Sequence, residues 1–255
     1  MIKIPMIIAH RGESYDAPEN TLASINLAWE RNDDAVEIDV HLTADDQIAV
    51  IHDRNTRRTS GIYKKVSAQT FETLKQIDVG SFKGEKWKDQ KIPSLEEVLE
   101  TVPHGKHIFI EIKCGKDIFP PLSKVIKRSK IKHEQIKLIG FNFKTMSHSK
   151  IFIPNSEVFW LRRFERNRLH FWKLNKDNIF AKIKHNGFDG LDIKSHKLID
   201  QDLVDRIKSM GLKLFVWTVN DYEEADRLTK LGVDGITTDR AHWLKGKLAA
   251  SKTQK

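Results

Sequence analysis

Two pairs of polar residues in this chain repeat at the spacing of a β-strand. Glu37 and Asp39 are separated by one residue, and so are Glu111 and Lys113. In extended chain, residues i and i+2 point to one face, so each pair acts from one side of its strand. The neighbours Val36, Ile38, Val40, Ile110 and Ile112 are apolar and face the other way. Three carboxylates with no cysteine partner form an oxygen-rich cage, which suits a hard divalent cation, Mg2+ or Ca2+, rather than zinc. Arg11 and Lys113 can hold phosphate oxygens, the arginine as a two-pronged donor and the lysine as a point charge. His10 and His52 add a proton acceptor and a proton donor that work near neutral pH. A cation, two positive side chains and an acid–base pair are together the parts needed to cleave a phosphodiester.

These residues must be brought together by the elements that carry them. Short apolar runs alternate with amphipathic stretches along the whole chain. Candidate strands are Met6–Ala9, Ala35–Val40, Ile48–Ile51, Lys106–Ile112, Ile136–Gly140, Glu157–Leu161, Gly190–Ile193, Lys213–Thr218 and Gly235–Thr237. Helical stretches follow most of them, among them Pro18–Arg31, Leu95–Thr101, Gln201–Met210 and Tyr222–Leu231. Repeated strand–helix units predict a parallel sheet. The connection His41–Gln47 is too short for a parallel crossover, which takes about a dozen residues or more. Ile48–Ile51 therefore returns antiparallel beside Ala35–Val40, turning at Ala44-Asp45-Asp46. Eight parallel strands remain, the number of a TIM (β/α)8 barrel. Residues 54–92 become a small insertion after the third strand that passes over the barrel mouth. A single barrel then spans residues 1–250, and Ser251–Lys255 reads as a frayed tail.

Active sites in such barrels lie at the C-terminal ends of the strands. His10, Arg11, Glu37, Asp39, Glu111 and Lys113 all fall there. A barrel interior is mostly branched apolar side chains, so polar groups facing the axis need a functional reason. A hairpin centred on Asp45 sets residue i opposite residue 90 minus i. His52 then faces Ile38, level with the carboxylates, and a slip of one residue would turn it away. Taken singly, Glu37 with Arg11 reads as an ion pair at the barrel bottom and Glu111 with Lys113 as a surface pair. Their convergence on neighbouring strands favours a site. His104, His107, His133, His148, His170, His185 and His196 read as hydrogen-bonded structural residues.

Composition narrows the remaining choices. The chain has 255 residues, 39% hydrophobic and 31% charged, which is ordinary for a globular protein. No apolar run approaches the roughly 18 residues of a membrane helix, and the N-terminus lacks the pattern of a signal peptide. Cys114 is the only cysteine. A lone thiol excludes an intramolecular disulfide and fits a reducing compartment, so a cytoplasmic location is expected. The net charge is +9. Seven Lys/Arg lie between Lys116 and Lys137 and eight between Arg162 and Lys184. Such a field favours anionic partners, or is simply a solvated basic face. No nucleic-acid-binding motif accompanies it, so a nucleic-acid partner is not expected.

An ordered set of short motifs carries a resemblance. They are Ala-His-Arg-Gly from Ala9, Ala-Pro-Glu-Asn-Thr from Ala17, Val-Glu-Ile-Asp-Val from Val36, Ile-His-Asp-Arg from Ile51, Phe-Ile-Glu-Ile-Lys from Phe109, Val-Trp-Thr-Val-Asn from Val216 and Gly-Ile-Thr-Thr-Asp from Gly235. Each is weak alone, but in this order over nearly the whole chain they are highly specific. The sequence resembles the glycerophosphodiester phosphodiesterases. The resemblance implies an α/β fold, a TIM (β/α)8 barrel of the PLC-like phosphodiesterase type, and metal-dependent hydrolysis of glycerophosphodiesters to sn-glycerol 3-phosphate and an alcohol. It implies His10 and His52 as the acid–base pair, Glu37, Asp39 and Glu111 as metal carboxylates, Arg11 and Lys113 as phosphate contacts, and Trp217 as an aromatic of the pocket. Within Pro-Glu-Asn-Thr, Asn20 reads as the cap of the following helix and Glu19 as a brace for Arg11. The chain departs from the family pattern at Asp46, where glycine is common, and at Phe141-Asn142-Phe143. The stretch 162–172 is unusually basic and aromatic.

Two other functions fit the same residues. One is a lysophospholipase D-type phosphodiesterase, with the stretch 162–172 as a lid in peripheral contact with an anionic membrane. The other is a barrel that binds phosphorylated ligands without catalysis. Neither the alcohol headgroup nor the oligomeric state is encoded in any motif of the chain.

Overall fold

The computed structural model describes residues 3–163 and 176–253. Nine strands form its sheet: β1 Met6–His10, β2 Ala35–Leu42, β3 Ile48–Val50, β4 His107–Ile112, β5 Ile136–Gly140, β6 Glu157–Arg162, β7 Gly190–Lys194, β8 Lys213–Trp217 and β9 Gly235–Thr238. Their order is β1-β9-β8-β7-β6-β5-β4-β2-β3, and a β1–β2 pairing closes the ring. All neighbours pair parallel except β2 with β3. The eight parallel strands are a closed TIM barrel, and β3 is the antiparallel ninth that the short connection predicts. Its register, Val40 with Val50 and Leu42 with Ile48, is the 90-minus-i pairing. The turn is closed by Thr43 N–H donating to Gln47 O at 3.0 Å. Asp46 takes a φ of +57°, the left-handed conformation that favours glycine there.

The alternation of residues sorts the core into two layers. Val36, Ile38, Val40, Ile108, Ile110 and Ile112 face outward into one large apolar cluster with the surrounding helices. Inside the ring, Ile8, Ala35, Phe109, Ile139, Phe159, Leu161 and Phe215 form a smaller plug. Phe215 meets Phe109 and Phe159 edge-on, with ring centroids 5.0 and 4.8 Å away. Edge-to-face contacts of this kind align the positive ring edge with the negative face. The plug closes the barrel beneath the polar strand ends. At the opposite, N-terminal end, buried Lys137 donates to Glu157 at 2.7 Å, and Lys213 bonds the same carboxylate.

The helix after β1 begins later than its hydrophobic pattern predicts, at Leu22 rather than Pro18. Thr21, not Asn20, is the N-cap, in a reciprocal capping box with Ser24. Asn20 has a φ of +56° and points its amide elsewhere, as described below. Residues 54–92 hold only short helical turns, and pack Val66, Leu74, Ile77, Val79 and Ile92 into a satellite core with Ala49 and Ile51. The C-terminal helix Ala241–Thr253 runs through Ser251, correcting the expected frayed tail. Ala249 and Ala250 favour helix, and Ser251 Oγ bonds back to Leu248 O at 3.0 Å. Gln254 and Lys255 lie outside the described residues, as does the basic-aromatic stretch from residue 164 onward.

Two positions test how the fold supports the site. Gly12 follows the His10-Arg11 pair with a φ of +78°, and an added Cβ would lie 2.5 Å from the Ser24 carbonyl carbon. Gly12→Ala is expected to destabilise the protein by about 2 kcal/mol in urea unfolding, through both the backbone conformation and the clash. Asp33 is buried in the connection to β2. Burial, and then the charge of Glu13, push its carboxyl up to about 8. A raised folded-state value means the stabilising, protonated form is fully present below the unfolded value of about 3.9 and is lost as pH rises toward the folded one. The urea midpoint of Asp33→Asn should therefore gain on wild type from pH 4 to pH 8 and keep a constant lead above that. A pH-independent difference would contradict the assignment.

Candidate active site

Strand register brings the sequence-predicted residues to one end of the barrel. His10 pairs with Glu37 across β1 and β2, and Asp39 pairs with Glu111 across β2 and β4. Glu37, Asp39 and Glu111 each offer an oxygen within 4.8 Å of the other two. A cavity of about 140 Å3 opens above them. Its lining includes His10, Arg11, Glu37, His52, Glu111, Lys113 and Trp217, with Asp39 buried beneath. The structure thus gathers all eight candidates. A larger cavity of about 710 Å3 lies at the opposite end, around Lys3, Lys106 and Asp234, and it shares none of these residues.

Fixed donors surround the three carboxylates. Arg11 has a left-handed backbone, φ +57°, that turns its N–H onto Glu37 Oε2 at 3.0 Å. Its guanidinium reaches Asp39 Oδ2 at 3.1 Å and donates to Glu19 at 2.9 Å. Glu19 is therefore the expected brace. Asn20 holds Asp39 at two points: its Nδ2 donates to Oδ2 at 2.8 Å, and its Oδ1 accepts the Asp39 backbone N–H at 3.1 Å. Lys113 Nζ lies 2.9 Å from Glu111 and 3.4 Å from Asp39. Arg11 and then Lys113 overcome burial to hold the Asp39 carboxyl down at about 2. Glu37 is driven well above its ordinary value by burial, then by the charges of Asp39 and Glu111. Burial and then Asp39 raise Glu111 to about 7. Glu37 Oε1 is buried with no hydrogen-bond partner among the described residues. An all-oxygen set with an unsatisfied buried acceptor fits a hard divalent cation.

Each histidine is held by a carboxylate that the sequence reading did not assign. His10 Nδ1 lies 2.6 Å from Asp239 Oδ1, and His52 Nδ1 lies 2.6 Å from Asp53 Oδ1. A carboxylate at Nδ1 fixes the proton there and leaves Nε2 able to accept one. Asp239 ends the Gly-Ile-Thr-Thr-Asp motif at the last strand, so its place at a strand end was the available signal. The antiparallel register delivers His52 to the cavity, and burial lowers its basicity. Arg58, from the insertion, forks onto Glu19 with two contacts of 2.7 Å and reaches Asp53 at 2.7 Å. No short-range pattern pointed to Arg58.

The far wall is Ile139, Leu161, Asp192 and Thr237, all buried, with Phe141, Arg163 and Trp217 nearer the opening. Burial and then Glu111 push Asp192 well above its ordinary value. Phe141 and Trp217 meet edge-on at 5.6 Å. Of the atypical segment, only Phe141 lines this cavity. Asn142 caps the short helix Phe143–Met146, and Phe143 packs on Trp160 and Phe188.

Known proteins resemble this chain in sequence and fold. A bacterial glycerophosphodiester phosphodiesterase from Caldanaerobacter subterraneus is 33% identical over 244 residues, covering 92% of this chain and 93% of its own. A lysophospholipase D of Rattus norvegicus is 28% identical, covering 91% of this chain and 82% of its own. Among solved structures, a phosphodiesterase of Oleispira antarctica in complex with the product sn-glycerol-3-phosphate superposes with a TM-score of 0.86 at 28% identity, covering 96% and 97% of the two chains. The sequence profile of the glycerophosphoryl diester phosphodiesterase family matches residues 10–242, from the first site histidine to beyond Asp239, and the chain belongs to that family.

Proposed function

We propose that this enzyme hydrolyses glycerophosphodiesters to sn-glycerol 3-phosphate and an alcohol, using a divalent cation, Mg2+ or Ca2+, held by Glu37, Asp39 and Glu111. The observation that carries the reading is the buried carboxylate triad beneath two histidines whose Nδ1 atoms are each held by an aspartate. The bound cation would supply Lewis-acid neutralisation of phosphate charge. Arg11 and Lys113 line the cavity beside the triad and hold the remaining phosphate oxygens. Nε2 of one histidine takes the proton from the glycerol 2-hydroxyl as its oxygen attacks phosphorus. Nε2 of the other protonates the departing alcohol oxygen as the P–O bond breaks. A cyclic phosphate results. Water then adds with the histidine roles exchanged, reopening the ring to glycerol 3-phosphate and restoring both protonation states. Trp217 walls the cavity, which limits bulk water at the reacting centre.

Hydrolysis of lysophospholipids by the same chemistry is a second reading, favoured by the likeness to the rat lysophospholipase D. Among the described residues no helix is long and apolar enough to cross a membrane. In this second reading the substrate is met by peripheral contact with an anionic membrane. The lid expected at 162–172 lies outside the described residues from 164 onward. The proposed cytoplasmic setting rests on the single cysteine of the sequence, Cys114, which is partly buried.

Turnover of a glycerophosphodiester, read as released glycerol 3-phosphate, should stop in EDTA and return with Mg2+ or Ca2+. Full activity in EDTA would remove the cation from the mechanism. His10→Ala and His52→Ala should each lower kcat by roughly a thousandfold with an unchanged circular dichroism spectrum. Near-normal kcat in either would overturn the acid–base assignment. Asn20→Ala frees Asp39 from its double clamp, and the cation concentration for half-maximal activity should rise by about tenfold or more. An unchanged cation requirement would reduce Asn20 to a loop residue.

A further inference from the structure

The cavity mouth carries a cation where a cationic headgroup would otherwise rest. Phe141 at the end of β5 and Trp217 at the end of β8 stand edge-on, a pair of aromatic walls suited to a quaternary ammonium. Arg163, immediately after β6, fills that place. Its guanidinium carbon lies 4.8 Å from the Phe141 ring centroid and 5.4 Å from that of Trp217. Both distances fall within the reach of a cation–π contact, roughly 6 Å. Arg163 is exposed and lines the same cavity as the histidines. It has no ion-pair partner among the described residues.

An adjoining cavity of about 530 Å3 shares Glu111, Lys113 and Phe141 with the first. It is lined further by His41, Arg54 and Lys65, and its only carboxylate is Glu111 of the triad. Arg54 and Lys65 are exposed and likewise without an ion-pair partner among the described residues. The buried end of the site is walled by Ile139, Leu161 and Thr237, in a cavity of about 140 Å3. A leaving alcohol that extends toward the open side would meet positive charge.

We propose that Arg163, seated on Phe141 and Trp217, forms with Arg54 and Lys65 a subsite for leaving alcohols that carry an additional anionic group, and that it excludes choline-like headgroups. This rests on the proposed phosphodiesterase reading and adds the substrate class. The guanidinium occupies the aromatic walls that a trimethylammonium would use, and repels that cation electrostatically. A phosphate or carboxylate on the alcohol instead gains a planar two-pronged donor.

The test compares three substrates with the full chain and added Mg2+ or Ca2+: glycerophosphoinositol, glycerophosphoinositol 4-phosphate and glycerophosphocholine. The first two share a ring and differ by one phosphate, so their ratio isolates charge. Wild type should favour the phosphorylated headgroup in kcat/KM by roughly two- to fivefold, the scale of one exposed ion pair. Arg163→Met should abolish that preference and raise the choline substrate relative to glycerophosphoinositol. Arg163→Lys should keep part of the anionic preference, because it keeps the charge. Equal turnover of the two inositol substrates by wild type, or a ratio unaltered in Arg163→Met, would overturn the subsite alone. Failure to release glycerol 3-phosphate from any of the three would overturn the proposed function and the subsite together.

Discussion

Three carboxylates sharing a space under 5 Å wide repel one another, and this repulsion organises much of the surrounding structure. Burial makes it worse by removing the water that would screen it. The neighbouring residues act against it in distinct ways. Arg11 supplies a guanidinium to Asp39 and a backbone N–H to Glu37, the second only because its backbone is left-handed. Lys113 bridges Glu111 and Asp39. Asn20 gives up the ordinary helix-capping role to clamp Asp39. The compensation is incomplete, since Glu37 and Glu111 remain hard to ionise and one oxygen of Glu37 stays unpartnered among the described residues. The proposed dication would complete the balance, because it would supply the positive charge that two basic side chains do not.

The histidines depend on a second layer of the same kind. Each imidazole has a carboxylate on Nδ1, and these come from opposite parts of the chain, Asp53 beside His52 and Asp239 at the final strand. The insertion is tied into this layer. Arg58 joins Asp53 to Glu19, and Glu19 braces Arg11, so one guanidinium links the orientation of His52 to the carboxylate cage. Residues 54–92 thus contribute a contact to the site through Arg58. Their satellite core anchors the segment that carries Arg58.

The surroundings of the site change along the barrel axis. Beneath the site, the plug of Phe109, Phe159 and Phe215 seals the interior. Around the triad, side chains are fixed by several contacts each. Toward the open side, Arg163, Arg54 and Lys65 are exposed, and Arg163 stacks on Phe141 and Trp217. Closely held groups at the triad thus give way to exposed ones at the mouth.

Most of the fold was legible from local pattern. Alternation of polar and apolar residues on β2 and β4 is enforced by the strand period of two, so the inward direction of Glu37, Asp39 and Glu111 followed from spacing alone. The connection His41–Gln47 was too short to cross the barrel, and this dictated the antiparallel β3 and the side from which His52 arrives. Symmetric pairing about Asp45 then set its level. The tertiary structure decided what depends on distant partners. Asn20 precedes a helix and has the capping residue type, yet a strand carboxylate nineteen positions away competes for its amide and wins, leaving Thr21 to cap. Asp239 reaches His10 only because β9 closes the ring against β1. Arg58 and Arg163 look like ordinary surface cations in sequence, and only their placement over Glu19 and over the Phe141–Trp217 pair gives them a role. Local periodicity encodes which way a side chain points, whereas its partner is set by ring closure and by loops whose paths no local pattern records.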